Sequence, residues 1–579
     1  MKILSIHDGH NASICYLNNG IIRYLLLEER FTNMKNQGGF PKKALKWIER
    51  QPGFSLEDCD LIAIGCLGLP VYDTKTRNYI VHKMFSKSTK LFPYTIISSN
   101  RLILPYLALV GRKRMRQLKC YSNEYKFDIK KIKQVEHHTA HGYAALYGSG
   151  FTNELGPTLI FTTDNSGDGL SATVSIWERL RGYNRIHANQ SFNSLGELYS
   201  RVTEFLGMKP LEHEYKVMGM SPYVSNEYSE NIFQILKDRY LDLDKSGLKF
   251  ENKSYRGKHL LEKFKKDFFK QRFDNICGGL QRHFEYIITN WVNNWARRTG
   301  INRAVFGGGC FMNVKANMLI SQLEILDKVF FMPSSGDEST ALGAAYKIHV
   351  EQSSLPISQL GDLFKGPAFT NSEIEKVLQG YTDKVLYEKK EDIEKTIADL
   401  LIEYKIVGRF KGEEEWGARA LGNRSILCRA DDLRIVHQLN KSIKMRDFWM
   451  PYASSILEED ADKYIINPKR IPAPYMMTTF PTKELARKHI AAALHPFDFT
   501  CRPQLVKKER SPDFHRMLVY FKEKTGISGI LNTSFNLHGL PIVGSPEDAI
   551  KTLINSDLDY IAIEDFLIRA KKDISPGIF

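Results

Sequence analysis

The chain has 579 residues, 43% hydrophobic and 25% charged, with 81 Lys and Arg against 66 Asp and Glu and a net charge of +15. This composition excludes a disordered or fibrous chain and leaves room for two or three domains, each with its own core. The basic balance favours anionic ligands, nucleotides and phosphates among them, and by itself fits nucleic acid or an acidic glycan as well.

The N-terminus, MKILSIHDGHNAS, reads as a strand entering a glycine turn and lacks the apolar core of a signal peptide. Strands are predicted at Ile3–Ile6, Ser13–Leu17 and Ile21–Leu27, joined by turns at Asp8-Gly9 and Asn18-Asn19-Gly20. Asn-Gly between apolar runs is a strong hairpin signal. Thr74 to Asp128 is basic and mostly helical and reads as an insertion; its apolar run Leu102–Val110 is too short for the ~20 residues a bilayer span needs, and reads as a buried helix. The hairpin returns at Thr158–Thr163, turn Asp164–Gly169, and Leu170–Trp177. A strand-turn-strand unit occurring twice, each with Asp and Gly in the turn, resembles the two phosphate loops of the actin-like ATPase fold and suggests two similar halves. A Lys-rich helical segment, Lys253 to Arg297, precedes the strand Ala304–Phe306 and the loop Gly307-Gly308-Gly309-Cys310. Charge runs of that kind read as solvated helix faces. The strand Lys328–Met332 ends in PSSGDESTALGAAY, a strand-to-helix turn. Beyond about 365 the pattern changes register, with a helix at Glu391–Tyr404, so domains of 1–365 and 366–579 are expected.

Chemistry concentrates at few places. His137 and His141 in VEHHTAHGYAAL stand four apart, so on a helix both imidazoles leave one face a turn apart and can reach one ion. Taken alone, such a pair is also what a capped surface helix presents. Asp164 in TTDNSGDG and Asp337 in SSGDES add two carboxylates at turns that aim them into a cleft. Two histidines and two carboxylates suit a divalent first-row ion and leave positions for a ligand. The glycines at Gly308 and Gly309 let backbone approach a nucleotide, and Asn313 and Asn317, four apart on the following helix, face the same way. Neither a Walker A lysine motif nor a GxGxxG opening a helix is present, which argues against P-loop and dinucleotide enzymes. The eight cysteines lie far apart without a CxxC pair, so no zinc ribbon or disulfide framework is indicated and a reduced, cytoplasmic setting is expected.

In the second half, GEEEWGARALGNRSIL (Gly412–Leu427) sets Arg419, Asn423 and Arg424 among glycines, a loop able to hold a phosphorylated ligand through backbone N–H groups and guanidinium forks. LNKSIKMRDFWMPYASSIL (Leu439–Leu457) brings Lys444 and Arg446, TCRPQ brings Arg502, and ILNTSFNLHGLPIV (Ile530–Val543) brings Asn532, Thr533, Ser534 and Asn536.

In order and spacing these blocks resemble the NodU/TobZ O-carbamoyltransferases, and the resemblance runs from Ile3 to about Ile568. It implies an α/β protein: an actin-like, duplicated N-terminal domain similar to the TsaD-type domain that makes threonylcarbamoyladenosine in tRNA, then a YrdC-like domain. It also implies Fe(II), or another first-row ion, held by His137, His141, Asp164 and Asp337, with His138 the odd one out, packed or turned to solvent. Gly308, Gly309, Asn313 and Gly336 would hold a carbamoyl-adenylate, formed in the second domain from carbamoyl phosphate and ATP with Mg2+. His10 and Lys35 would lie near the acceptor hydroxyl and the carbamoyl group, with His10 the candidate base. In the block Leu195–Tyr223, Glu214 and Lys216 would flank the cleft. The sequence departs from the family at Trp416, Ala418 and Asn165, where Phe, Pro and Gly are frequent, so the geometry of the second phosphate loop is open at Asn165. The expected partner is a sugar or other hydroxylated small molecule rather than nucleic acid. The competing readings are a tRNA threonylcarbamoyladenosine-type enzyme, which the basic charge favours but whose chemistry is normally divided between separate proteins, and a basic nucleic-acid-binding module.

Overall fold

A computed structural model describes residues 1–68, 100–254 and 258–571. The sequence reading of 74–99 lies outside the described residues; the run Leu102–Val110 falls within a helix, Asn100–Tyr125, whose side chains are described from 111 onward.

Three sheets organise the chain. The first contains β1 (Lys2–His7), β2 (Ser13–Asn18), β3 (Ile21–Leu27), β4 (Leu61–Ile64) and β5 (Ile132–Gln134), in the order β3-β2-β1-β4-β5. The turn between β2 and β3 has Asn19 at φ 49° and Gly20 at φ 77°, the left-handed pair that Asn-Gly supplies at little cost. The second contains β6 (Thr158–Gly167), β7 (Leu170–Glu178) and β8 (Gly182–Gln190). After a small ribbon, β9 (Leu241–Leu243) with β10 (Phe250–Asn252), it is completed by β11 (Arg303–Gly307) and β12 (Lys328–Phe331), in the order β12-β11-β6-β7-β8. Read from the other edge, both sheets have one plan: an antiparallel meander of three strands, whose first strand continues into two parallel ones. Parallel pairing with helices on both faces needs continuous apolar strands, and β1 and β11 are buried along nearly their whole length.

The helices His137–Ser149 and Ser339–Gln352 cross between these sheets at close range. A Cβ on Gly343 would overlap the carbonyl of Ala140, so glycine is what lets the two axes approach. That crossing sets the start of the second helix beside the first turn of the other. The basic helix Asn100–Tyr125 is anchored in the core: the Arg114 fork meets both oxygens of Asp8 at 2.6 and 2.8 Å, and both side chains are buried. The Lys-rich stretch expected to be helical forms two helices, Lys258–Asp267 and Phe273–Thr299. The longer one buries Ile276, Phe284, Trp291 and Trp295, and its charged residues occupy the remaining face.

The third sheet contains β13 (Val385–Lys389), β14 (Val407–Phe410), β15 (Arg424–Cys428), β16 (Ala453–Leu457), β17 (Pro503–Val506), β18 (Gly529–Ser534), β19 (Tyr560–Ile563) and β20 (Phe566–Ala570). Its order is β13-β20-β19-β14-β15-β18-β16-β17. Side chains alternate between two cores, with Ile426 and Cys428 on one face and Leu427 on the other, as a two-residue period requires. Trp416, Leu421 and Tyr475–Met477 pack into the core of the first two sheets, joining the N- and C-terminal parts through buried apolar surface.

Candidate active site

The first turn of the helix His137–Ser149 is fixed by Glu136, whose carboxylate accepts from the amides of His138 and Thr139 at 2.9 and 2.8 Å. His137 and His141 then point the same way, their Nε2 atoms 3.1 Å apart. His141 Nε2 is 3.3 Å from Asp164 Oδ2, and His137 Nε2 is 3.7 Å from Asp337 Oδ1. One donor atom from each of the four residues lies within 4.8 Å of every other. The groups behind them fix their orientation: His141 Nδ1 meets Ser339 Oγ at 2.9 Å, and Asp164 Oδ2 accepts the amide of Gly309 at 2.9 Å. His138 is packed, its Nδ1 on Thr162 Oγ1 at 2.8 Å. Two imidazoles and two carboxylates this close, nearly out of water, are costly unless an ion or protons lie between them. Burial and the Asp164 charge push the Asp337 carboxyl up to about 7. Burial pulls His137 down, but the hydrogen bond to Asp164 and the Asp337 charge outweigh it and lift the imidazole to about 9. Such a donor set fits a divalent first-row ion.

The turn after β1 forms one wall. His7, which sequence reasoning passed over, bridges Thr340 Oγ1 at 2.8 Å and the carbonyl of His10 at 3.0 Å, and lies 3.8 Å from Asp337. Burial pushes its imidazole down to about 3. His10 itself is half-buried and close enough to feel the charges of Asp164 and Glu212; burial nonetheless lowers its pKa. Glu338, also passed over, is buried beside Asn11, and burial pushes it up to about 7. A histidine ending an apolar strand, and an acid directly after Asp337, were the available signals.

The glycine loops do what close approach requires. Gly308 has φ 97°, and a Cβ there would stand 2.9 Å from the Thr163 carbonyl carbon. Gly336 lies against the Glu338 carboxylate in the same manner. Asn313 corrects the sequence reading: it caps the following helix, accepting from Ala316 N–H at 3.1 Å, and its amide pairs reciprocally with Gln281 at 2.9 and 3.0 Å. Asn317 is buried and donates to the carbonyls of Phe311 and Met477. The Asn313 amide is thus committed to structure, as is Asn317 Nδ2, while Asn317 Oδ1 is buried without a partner among the described residues.

The cations of the second half divide into two groups. Arg419, Lys444, Arg446 and Arg502 converge without an ion-pair partner among the described residues. Burial and the Arg446 charge pull Arg419 down to about 10; burial with Arg419 and Arg446 pulls Arg502 well below its usual range. Lys444 is held by neutral oxygens, Asn536 Oδ1 at 2.7 Å and Asn536 O at 3.0 Å, with Ser534 Oγ at 3.3 Å. Burial, Arg446 and Lys35 lower its pKa well below the lysine range. Four cations held together without carboxylates form a pocket for a polyanion. Arg424 and Asn532 stand apart from that group, each bonded within the protein. Arg424 is fully buried over the Phe410 ring, and its fork donates to the carbonyls of Lys411, Asn423, Pro367 and Gly412 at 2.9–3.1 Å. Asn532 Nδ2 is taken by Ser455 at 2.9 Å and Gln504 at 3.1 Å. They lie on opposite faces of the sheet, Arg424 with Ile426 and Cys428, and Asn532 with Leu427, its partner across the strands.

Lys35 lies between the two centres, paired with Glu212 at 3.3 Å and near enough to Lys444 to depress it. Glu214 accepts Leu211 N–H at 2.7 Å, and Lys216 pairs with Asp447 at 3.0 Å, joining the two parts.

Most of the chain is matched by two parts of one family. The description "Carbamoyltransferase N-terminus" covers residues 2–346 and "Carbamoyltransferase C-terminus" covers 398–570. An uncharacterized protein of Methanocaldococcus jannaschii is 30% identical over 98% of this chain and 100% of its own. Nodulation protein NolNO of Sinorhizobium fredii is 27% identical over 98% of this chain and 80% of its own. Nodulation protein NolO of Bradyrhizobium diazoefficiens is 30% identical over 76% of this chain and 79% of its own. The chain, with its four-donor centre and its separate cation pocket, belongs to the carbamoyltransferase family and is an enzyme of that class.

Proposed function

We propose that the protein is an ATP-dependent O-carbamoyltransferase acting in the cytoplasm on a hydroxyl of a sugar or other small molecule. In a YrdC-like domain at 366–579, carbamoyl phosphate, water and ATP, with Mg2+, give carbamoyl-adenylate, inorganic phosphate and pyrophosphate; an actin-like, TsaD-like domain at 1–365 transfers the carbamoyl group to the acceptor hydroxyl and releases AMP and the hydroxyl proton. The common strand plan of the first two sheets supports the duplicated, actin-like reading. The observation that carries the proposal is the pairing of a four-donor centre with an unpaired cation pocket, with Lys35 between them. The first suits carbonyl activation and the second suits two phosphorylated substrates that repel each other.

His137, His141, Asp164 and Asp337 would hold Fe(II) or a similar ion, which when bound supplies Lewis-acid polarisation of a carbonyl oxygen. The glycine loops at Gly308, Gly309 and Gly336 admit the adenylate backbone-close. Arg419, Arg446, Arg502 and Lys444 offset the phosphate charge, and Ser534 and Asn536 aim Lys444. His10, lowered toward the neutral form by burial, takes the acceptor proton at its free ring nitrogen. Among the described residues no helix is long and apolar enough to cross a membrane.

Replacing His10 with Asn is expected to slow transfer by ~10²–10⁴, the range of general-base catalysis, while adenylate formation and melting temperature stay unchanged. Separate assays of the two half-reactions check this, and unchanged transfer by a folded variant refutes it.

A second expectation concerns pH. Lys444 has a folded pKa well below 10.5, so between the two values the folded protein holds fewer protons than the unfolded chain. The contribution of Lys444 to the stability of the free protein therefore rises with pH through that window. An anion needs the charged form, so its binding takes up a proton and weakens as pH rises. Calorimetric titration with pyrophosphate in buffers of differing ionisation heat checks the sign; proton release on binding contradicts it.

A further inference from the structure

The segment after β3 carries Glu28, Glu29, Arg30 and Lys35 in sequence, and Arg30 is the residue whose side chain is buried deepest against the other half. Its Nε lies 2.9 Å from Glu414 Oε1, with the two side chains only 2% and 4% exposed. Its Nη2 donates to the carbonyl of Gly417 at 2.7 Å. Gly417 has φ 104°, and a Cβ there would stand 2.7 Å from Ser334 Cβ, three residues before Asp337. Arg419, two residues further on, faces the cation pocket. The backbone of Arg30 is held as well: a Cβ on Gly544 would stand 3.1 Å from its carbonyl carbon, and Asn33 donates to Asp548 at 2.9 Å. Glu28 fixes the near end, accepting from the amides of Lys43 and Ala44 at 2.9 and 2.8 Å.

A loop with left-handed glycines at 412, 417 and 422 has little intrinsic preference for one shape. Four like charges repel in the pocket it borders, so its geometry must be imposed from outside. Arg30 imposes it. The guanidinium is planar and meets two partners at once, an ion pair with the carboxylate of Glu414 and a hydrogen bond to the carbonyl of Gly417, which Lys could not do with one point charge. Burial makes breaking this pair expensive, because Glu414 would lose the nearer of its two buried counter-charges, keeping only Arg424.

We infer that Arg30 is a positioning residue that clasps the Arg419-bearing loop from the opposite half and so sets the affinity of the cation pocket for phosphorylated ligands. The inference rests on the reading of that pocket as the carbamoyl phosphate and ATP site, but its first test does not need turnover. Arg30→Met keeps a buried stem and removes the fork. In the full-length, metal-loaded protein its Kd for pyrophosphate, measured by calorimetry, should rise about 10- to 100-fold, the loss expected for charge-assisted bonds. Arg30→Lys should not restore it, Glu414→Gln should fall between, and Arg30→Met with Glu414→Gln should be no weaker than Arg30→Met alone. Metal content should be unchanged throughout. With carbamoyl phosphate and ATP, KM should rise in the same order while kcat for pyrophosphate release stays within about 3-fold. Should Arg30→Met fail to fold, Arg30→Lys and Glu414→Gln, at unchanged melting temperature, give the same reading. Wild-type pyrophosphate affinity in these variants, or additive losses in the double variant, would overturn the clasp. Pyrophosphate binding that follows the predicted order in a wild-type protein that releases none from carbamoyl phosphate and ATP upholds the clasp and refutes the proposed reaction instead.

Discussion

Arg419→Ala is expected to abolish carbamoyl-adenylate formation, by ~10²-fold or more, and to leave the protein as stable as before or more so. The activity loss follows from removing a preorganised cation beside transferring phosphates. The stability gain follows from the same fact: Arg419 has no carboxylate partner, and burial with Arg446 pushes it down to about 10, so the folded protein carries an uncompensated charge. Arg424→Ala, five residues away, should do the opposite. It would remove the side-chain donor from four backbone carbonyls, two of which, those of Lys411 and Gly412, have no backbone donor besides among the described residues, and would take one buried counter-charge from Glu414 and Glu415, costing about 3–5 kcal/mol. Thermal melting of the two variants side by side decides. Equal destabilisation by both would mean that Arg419 is as structural as Arg424.

The double variant His137→Ala, His141→Ala is expected to lose its first-row metal and transfer together, while pyrophosphate release from carbamoyl phosphate and ATP continues. Removing two of four donors within 4.8 Å leaves only carboxylates, too few and too hard to retain such an ion tightly. Elemental analysis of the purified variant checks this directly; full metal content would show that the ion is held elsewhere or not at all.

The strand pattern was legible because it rests on local chemistry. The turns Asp8-Gly9 and Asn19-Gly20, and the repeat at Asp164–Gly169, punctuate apolar runs too short to be helices; β1–β3 and β7 follow them within about two residues, while β6 runs four residues past its expected end, to Gly167. The four donors were legible for a different reason: histidines four apart define a helix face whatever surrounds them. Asn313 was misplaced by one structural step, since Asn is both a helix-face amide and a favoured cap, and only Gln281, distant in sequence, decides between the two. The surroundings of Arg424 were not legible, because a guanidinium among glycines looks alike whether it faces phosphate or carbonyl oxygens, and only the fold brings Pro367 and the 411–412 backbone against it. Asp8–Arg114 and Arg30–Glu414 were invisible, being contacts between residues more than a hundred apart.

The central claim is that activation and transfer reside in different halves of one chain. The most direct test measures pyrophosphate release and carbamoylated product, by mass spectrometry over a panel of glycan and hydroxylated small-molecule acceptors, in Arg419→Ala and in His137→Ala, His141→Ala. Supplied carbamoyl-adenylate should rescue product formation in the Arg419 variant and not in the histidine variant, whose pyrophosphate release should stay near wild type. Equal loss of both activities in both variants, without rescue, would contradict the account and place the whole reaction in one site.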